Sequence, residues 1–266
     1  VRADAVGEIG AQGLAEERSP FGTIVRVRPA ANSLAAIARM QSVQGVELAR
    51  QRISANDISR DTMNVSADTV APDNYLGLSG SKVLVGVNDT GVDTNHPDLA
   101  LRVLADAPIS GVDSNGHGTH VAGIIAGDGS KSTTATNAIG SVMPAVSGQF
   151  RGKAPGSKIY SMNANLESGP ASDVYLQEQT RKTNAFISNN SWHYYNAAEY
   201  DLAAASYDAA VRDALPGAQG SQPLLFVFPS GNRGGGDDDG LSGNPDTIDS
   251  PGTAKNVITV GATEQY

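Results

Sequence analysis

A chain of 266 residues with 39% hydrophobic and 18% charged content is long enough to bury a sizeable core, as one large domain or a domain with a small appendage. Its 19 Lys and Arg against 28 Asp and Glu leave a net charge of −9, which argues against nucleic acid and anionic membrane surfaces as partners. Without cysteine there is no disulfide, no thiolate zinc site and no cysteine nucleophile, and no run of about 18 apolar residues offers a membrane span.

Residues 1–20 are rich in Gly, Ala and Glu without a convincing period, show no positively charged segment followed by an apolar stretch, and stay unassigned. Alternation predicts a strand over 22–28, Asn32 is placed to cap a helix running to about 41, and 46–53 reads as a second strand, making a small strand-helix-strand unit. A polar, irregular approach over 56–80 follows. The chain then alternates short apolar strands with longer helices: a strand at 82–87, a small-residue helix at 117–126, a strand at 158–162, and a helix from the Ser172 cap to about 182. Further strands are expected at 185–188, 224–228 and 257–260, with a helix at about 199–215 closed by Pro216-Gly217. Alternation at this interval predicts an α/β fold with a parallel sheet, whose ligands sit outside the carboxyl ends of the strands.

Four polar stations fall at those strand ends: Asp89-Thr90-Gly91, His117 in NGHGTHVAG, Asn190-Ser191-Trp192, and Ser230-Gly231-Asn232. A carboxylate, an imidazole and an amide on one rim suit acyl transfer, in which the carboxylate orients the imidazole, the imidazole moves the proton and the amide donates to the developing oxyanion. Each station also has an ordinary reading as a turn or a helix cap. An aspartic protease would need a second Asp-Thr-Gly, which does not occur. Zinc on His117 and His120 would need further ligands, and only His96 and His193 remain as imidazoles.

The successive blocks VLVGVNDTGVDTNHPDL, DSNGHGTHVAGIIAG, SNNSW, FPSGN and SPGTAKNVITVGA resemble, in order, those of the subtilisin-like serine proteases. The segment NDISRDTMNVSADTV and the ending SPGTAKNVITVGATEQY look most like the alkaline KP-43 type within that family. The resemblance implies a subtilisin-like parallel sheet with helices on both faces, incomplete at the C-terminus, over 56–266, preceded by a small α+β propeptide-like unit over 21–55. It implies a serine endopeptidase acting on proteins and peptides, with Asp89 orienting the imidazole, His117 as general base and Asn232 as oxyanion donor; His120 falls at a second, structural histidine. Ser191, Trp192, Pro229, Ser230 and Gly231 would line the pocket for the side chain before the scissile bond, and Glu167, Ser168 and Gly169 would pair with substrate as an added strand.

The pattern departs from the family at three places. The Gly-Thr-Ser-Met-Ala block that carries the nucleophile is absent, so the serine is expected on a C-terminal segment that is continuous with this chain, separate from it or missing. The other reading is an inactive subtilase fold that binds peptides. His193 stands where many relatives have Gly, so its imidazole either narrows the pocket or turns away. The propeptide-like unit, which a mature enzyme should have lost, implies a zymogen, with residues near 54–61 entering or leaving the cleft. Asp237, Asp238 and Asp239 offer oxygen ligands for a structural calcium, while the chemistry itself requires no cofactor. A secreted or extracytoplasmic location follows from the resemblance.

Overall fold

The computed structural model describes residues 12–19, 22–30, 33–47, 52–54, 79–134, 151–164, 171–235 and 243–262. Its centre is a parallel sheet formed by β4 (Leu84–Asp89), β5 (Val103–Ala105), β6 (Lys158–Asn163), β7 (Ile187–Asn189), β9 (Leu225–Pro229) and β10 (Ile258–Val260), in the order β10-β9-β7-β4-β6-β5. Three helices pack on it: α2 (His117–Ala126) on one face, α3 (Asp173–Lys182) and α4 (Leu202–Arg212) on the other.

Side-chain alternation along the strands sorts the two faces. Val85 and Val87 of β4 and Ile159 of β6 meet Val121, Ala122 and Ala126 of α2; Ala and Gly on this helix let it lie close to the sheet. Phe226 and Phe228 of β9 point the other way, against Tyr207 of α4, with ring centroids 4.9 and 4.7 Å apart in edge-on contacts. Trp192 of the three-residue strand β8 (Trp192–Tyr194) joins that cluster, 5.4 Å from Phe228. Helix α3 begins where expected because Ser172 accepts a hydrogen bond from the Tyr175 amide at 3.1 Å and Asp173 opens its first turn. Asp201 does the same for α4 through the Ala204 amide at 2.9 Å.

The amino-terminal region departs from expectation. Residues within the unassigned 1–20 form β1 (Gln12–Ser19), which pairs antiparallel with β2 (Gly22–Arg28). The short helix α1 (Leu34–Ala38) is preceded by Ser33 at its N-cap and buries a single side chain, Ile37, too little to hold the helix out to residue 41. The strand expected over 46–53 is irregular at 45–47, and extended structure returns at β3 (Arg52–Ser54). With β2 already paired to β1, β3 takes another edge: it runs antiparallel to β8, with Ser54 opposite Trp192, Ile53 opposite His193 and Arg52 opposite Tyr194.

Candidate active site

Strand β4 delivers Asp89 to the carboxyl edge of the sheet, and helix α2 delivers His117 from its first position. The two meet: His117 Nδ1 lies 2.7 Å from Asp89 Oδ1. An ionised carboxylate can only accept, so this contact places the proton on Nδ1 and leaves Nε2 as the nitrogen able to take a proton from a reacting group. Asp89 is fully buried, and its Oδ1 also accepts from the Thr90 amide at 2.8 Å. Backbone and imidazole thus converge on the same buried carboxylate oxygen, which fixes Oδ1 toward the imidazole.

Two glycines make the approach possible. A Cβ on Gly118 would come within 2.0 Å of the Gly91 carbonyl oxygen and 3.1 Å of Asp89 Cβ, so the helix can dock on the Asp-Thr-Gly turn only with hydrogen at that position. Gly91 has φ +106, in the left-handed region, and a Cβ there would sit 2.5 Å from the Val112 carbonyl oxygen. The docking is backbone on backbone.

Asp113, which sequence reasoning passed over, fastens the same junction. Its Oδ1 accepts from the Thr90 hydroxyl at 2.8 Å and the Gly116 amide at 2.8 Å, and its Oδ2 accepts from the Thr119 amide at 2.8 Å and the Thr119 hydroxyl at 2.7 Å. The Gly118 amide in turn donates to Thr90 Oγ1 at 2.9 Å. Burial pushes the Asp113 carboxyl up, but the hydrogen bonds from Thr119, Gly116 and Thr90 outweigh it and hold the group below its ordinary value of 3.8. The available signal was an aspartate four residues before a helix start, a common Asx-turn position.

Asn232 follows β9, which lies two strands from β4 across β7. At the usual strand spacing, the ends of β9 and β4 are about 10 Å apart on the same edge. Asn232 is exposed, and Pro229, Ser230 and Gly231 before it are partly so. Ser191 is partly exposed and accepts from the Asn189 amide group at 3.0 Å, whereas the Trp192 side chain lies in the aromatic core and its backbone stands opposite Ser54 of β3. The His193 imidazole turns inward: it is fully buried, with Nδ1 3.0 Å from Asp249 Oδ2. Burial pulls its pKa below the ordinary 6.5, ahead of the opposing attraction of Asp249. His120 is exposed on α2. Glu167, Ser168, Gly169, Asp237, Asp238 and Asp239 lie outside the described residues. Among the described residues no group of three or more His, Asp or Glu is placed to hold a metal ion, and no helix is long and apolar enough to cross a membrane.

Comparison with known proteins converges on one family. The family model described as "Subtilase family" matches residues 80–266. Subtilisin Savinase of Lederbergia lenta is 34% identical over 192 residues, 71% of this chain and 58% of the relative. An alkaline protease of Alkalihalobacillus alcalophilus is also 34% identical over 192 residues, with 41% of its length covered. Serine protease AprX of Bacillus subtilis (strain 168) is 30% identical over 197 residues, 70% of this chain and 39% of the relative. The chain thus spans well under two thirds of the length of these curated relatives. A solved structure, of a cold adapted subtilisin-like serine proteinase, superposes with TM-score 0.46 at 21% identity, covering 71% of this chain and 57% of that one.

Proposed function

Because this chain belongs to the subtilase family, we propose that it carries the amino-terminal part of the catalytic domain of a serine endopeptidase that hydrolyses peptide bonds of proteins. The observation that carries the reading is the 2.7 Å contact between His117 Nδ1 and the buried Asp89 carboxylate at the carboxyl edge of the sheet. In the proposed reaction a serine hydroxyl attacks the peptide carbonyl while His117 Nε2 takes its proton. Asp89 stabilises the imidazolium so formed, and the Asn232 amide donates to the tetrahedral oxyanion. His117 then returns the proton to the amine as the C–N bond breaks, leaving an acyl-serine, and a water that His117 deprotonates in the same way cleaves that ester to release the acid and restore the serine. No cofactor enters this chemistry.

The serine is assigned to a C-terminal segment, continuous with this chain or separate from it. Two observations support this: the nucleophile block is absent from 1–266, and among the described residues the β9–β10 side of one sheet face is uncovered. Leu225, Val227, Ile258 and Val260 share the face on which Val85 and Val87 meet α2, but α2 reaches only the β4 side. Ile258 and Val260 are 46% and 43% exposed, and a hollow of about 590 Å³ opens between Val85, Ile125, Ile187 and Val227. A buried helix bearing the serine would fill it. An extracytoplasmic location is proposed with the activity, on the family resemblance.

The region over 21–55 is proposed as a propeptide-like unit whose end occupies the substrate strand position. The support is the register of β3 on β8, which sets Ser54 opposite Trp192, next to Ser191. Maturation would then cut near residues 54–61.

The test uses the full-length protein with its C-terminal continuation, on a protein substrate and with a fluorophosphonate probe. Activity that is lost in His117→Ala, with label outside residues 1–266, supports the reading. Equal activity in wild type and His117→Ala, or label on a serine within 1–266, overturns it. A folded full-length protein that binds peptides without cleaving them would instead favour the inactive scaffold.

A further inference from the structure

Arg233, the residue after Asn232, anchors the loop that leaves β9. Its guanidinium grips Asp249 at two points, Nε donating to Oδ2 at 3.0 Å and a terminal nitrogen to Oδ1 at 2.5 Å. Asp249 is fully buried and reaches in the other direction as well: Oδ1 accepts from the Ala197 amide at 3.0 Å, and Oδ2 lies 3.0 Å from His193 Nδ1, out of hydrogen-bond geometry. The backbone repeats the pattern. The Asp249 amide donates to the Ser230 carbonyl at 3.0 Å, while Ser250 donates to Ala197 at 2.7 Å and accepts from the Tyr194 amide at 2.8 Å. Asp249 therefore stands between the loop 229–233 and the segment 192–197, the two walls that would flank the reacting carbonyl.

An ion pair with one partner buried and the other at the surface is a poor device for stability alone, since the buried charge must be desolvated and the exposed one is screened. It does supply direction. A two-point guanidinium–carboxylate contact fixes the plane and the position of both partners, which a point charge or an apolar contact does not. Here one partner is rooted in the core and the other is joined by a single peptide bond to the proposed oxyanion donor. The neighbouring loop is tight as well: a Cβ on Gly231 would sit 3.3 Å from Asp249 Oδ2. Burial keeps His193 neutral near neutral pH, so the Arg233 charge is balanced by Asp249.

We propose that Asp249 and Arg233 are positioning residues for the oxyanion site, holding Asn232 at a fixed separation from the β8 wall through the Arg233–Asp249 fork. The inference rests on the reading of Asn232 as oxyanion donor. Arg233 is the better handle, because its side chain is 31% exposed and can be changed without opening the core.

The test measures kcat and KM of the full-length protein on a peptide substrate for Arg233→Met, Arg233→Lys and Asp249→Asn, each alone and combined with Asn232→Ala, with melting temperatures alongside. Arg233→Met is expected to lower kcat by about 10- to 100-fold with little change in KM, as a small misplacement of a catalytic donor does. Arg233→Lys, which keeps the charge without the fork, should fall between wild type and Met. With Asn232→Ala already present, the Arg233→Met effect should shrink to about twofold or less, because the group being positioned is gone. The proposal is overturned if Arg233→Met retains wild-type kcat, or if its full effect persists in the Asn232→Ala background. Failure of the underlying reading is seen separately, as unchanged kcat in Asn232→Ala itself. Should Asp249→Asn not fold, the Arg233 pair still decides the matter.

Discussion

Strands β4 and β10 run in the same direction in one sheet and are held by different means. Strand β4 lies between β6 and β7, with five of its six residues buried, and ends in Asp89. Among the described residues strand β10 has β9 on one side only, and its two aliphatic side chains are nearly half exposed. The contrast teaches that the Asp89–His117 contact is set mostly within residues 79–134, where the Thr90, Gly118 and Asp113 bonds are made, with Asn163 and the Ala164 amide bracing the turn from β6. The half of the sheet on which the nucleophile is proposed to dock lacks its cover.

The largest expected effect breaks the finished half. In the full-length protein His117→Ala should lower turnover by several orders of magnitude, on the order of 10⁴-fold or more, as loss of a triad member does, subtilisin being the worked case for that figure. Assays of kcat on a peptide amide check it. Next, Gly118→Ala forces a methyl toward the Gly91 carbonyl, displacing the helix start; kcat should fall about 100-fold or more, because a shift on the order of 1 Å is enough for such a loss. A variant with wild-type kcat would show that the docking is not needed for the dyad.

Asp113→Asn is expected to destabilise by about 1–3 kcal/mol, since several donors lose a charged acceptor. It also carries a pH signature. The folded carboxyl titrates below its ordinary 3.8, so the unfolded chain takes up this proton first as pH falls. The stabilisation is complete above about pH 3.8 and is lost as pH drops through the folded value, so acid unfolding curves of wild type and Asp113→Asn should converge below that point. Curves that stay parallel through this window would remove Asp113 from the account.

The smallest effect probes the open half. Val260→Ser should change the stability of residues 1–266 by less than about 0.5 kcal/mol, as an exposed substitution does. In the full-length protein the same change should cost about 1–3 kcal/mol, because the side chain would then be buried against the added segment. Equal small costs in both would argue that the face stays uncovered.

What could be read in advance follows from how local each signal is. Helix α2 was legible because His117–Ala126 is a run of small and apolar residues flanked by glycines, and α3 because Ser172 and Asp173 announce a start. The central strands read as apolar runs of the right length. Asp89 and His117 could be paired as candidates from strand-end placement, but not the means of pairing, which depends on a missing Cβ at Gly118 meeting a carbonyl 27 positions earlier in the chain. Strand β1 was hidden because QGLAEERS does not alternate. Strand β3 finds its partner only at Trp192–Tyr194, a pairing no local pattern encodes. The two options for His193 are decided by Asp249, 56 residues on.

The contact of Gly118 with the Asp89–Gly91 turn also sets a clock. A dyad hinged on side-chain rotamers could separate on the picosecond-to-nanosecond scale of rotamer flips. Here the imidazole is rooted at the first residue of a helix whose backbone rests on the turn bearing its partner, and the Thr90–Asp113–Thr119 hydrogen bonds span the seam. Parting the two backbones of this joint requires lifting the end of α2 as a unit, a local-unfolding event on the microsecond scale or slower. Between such events the Asp89–His117 pair keeps its geometry, and the proposed base needs no rearrangement before it acts.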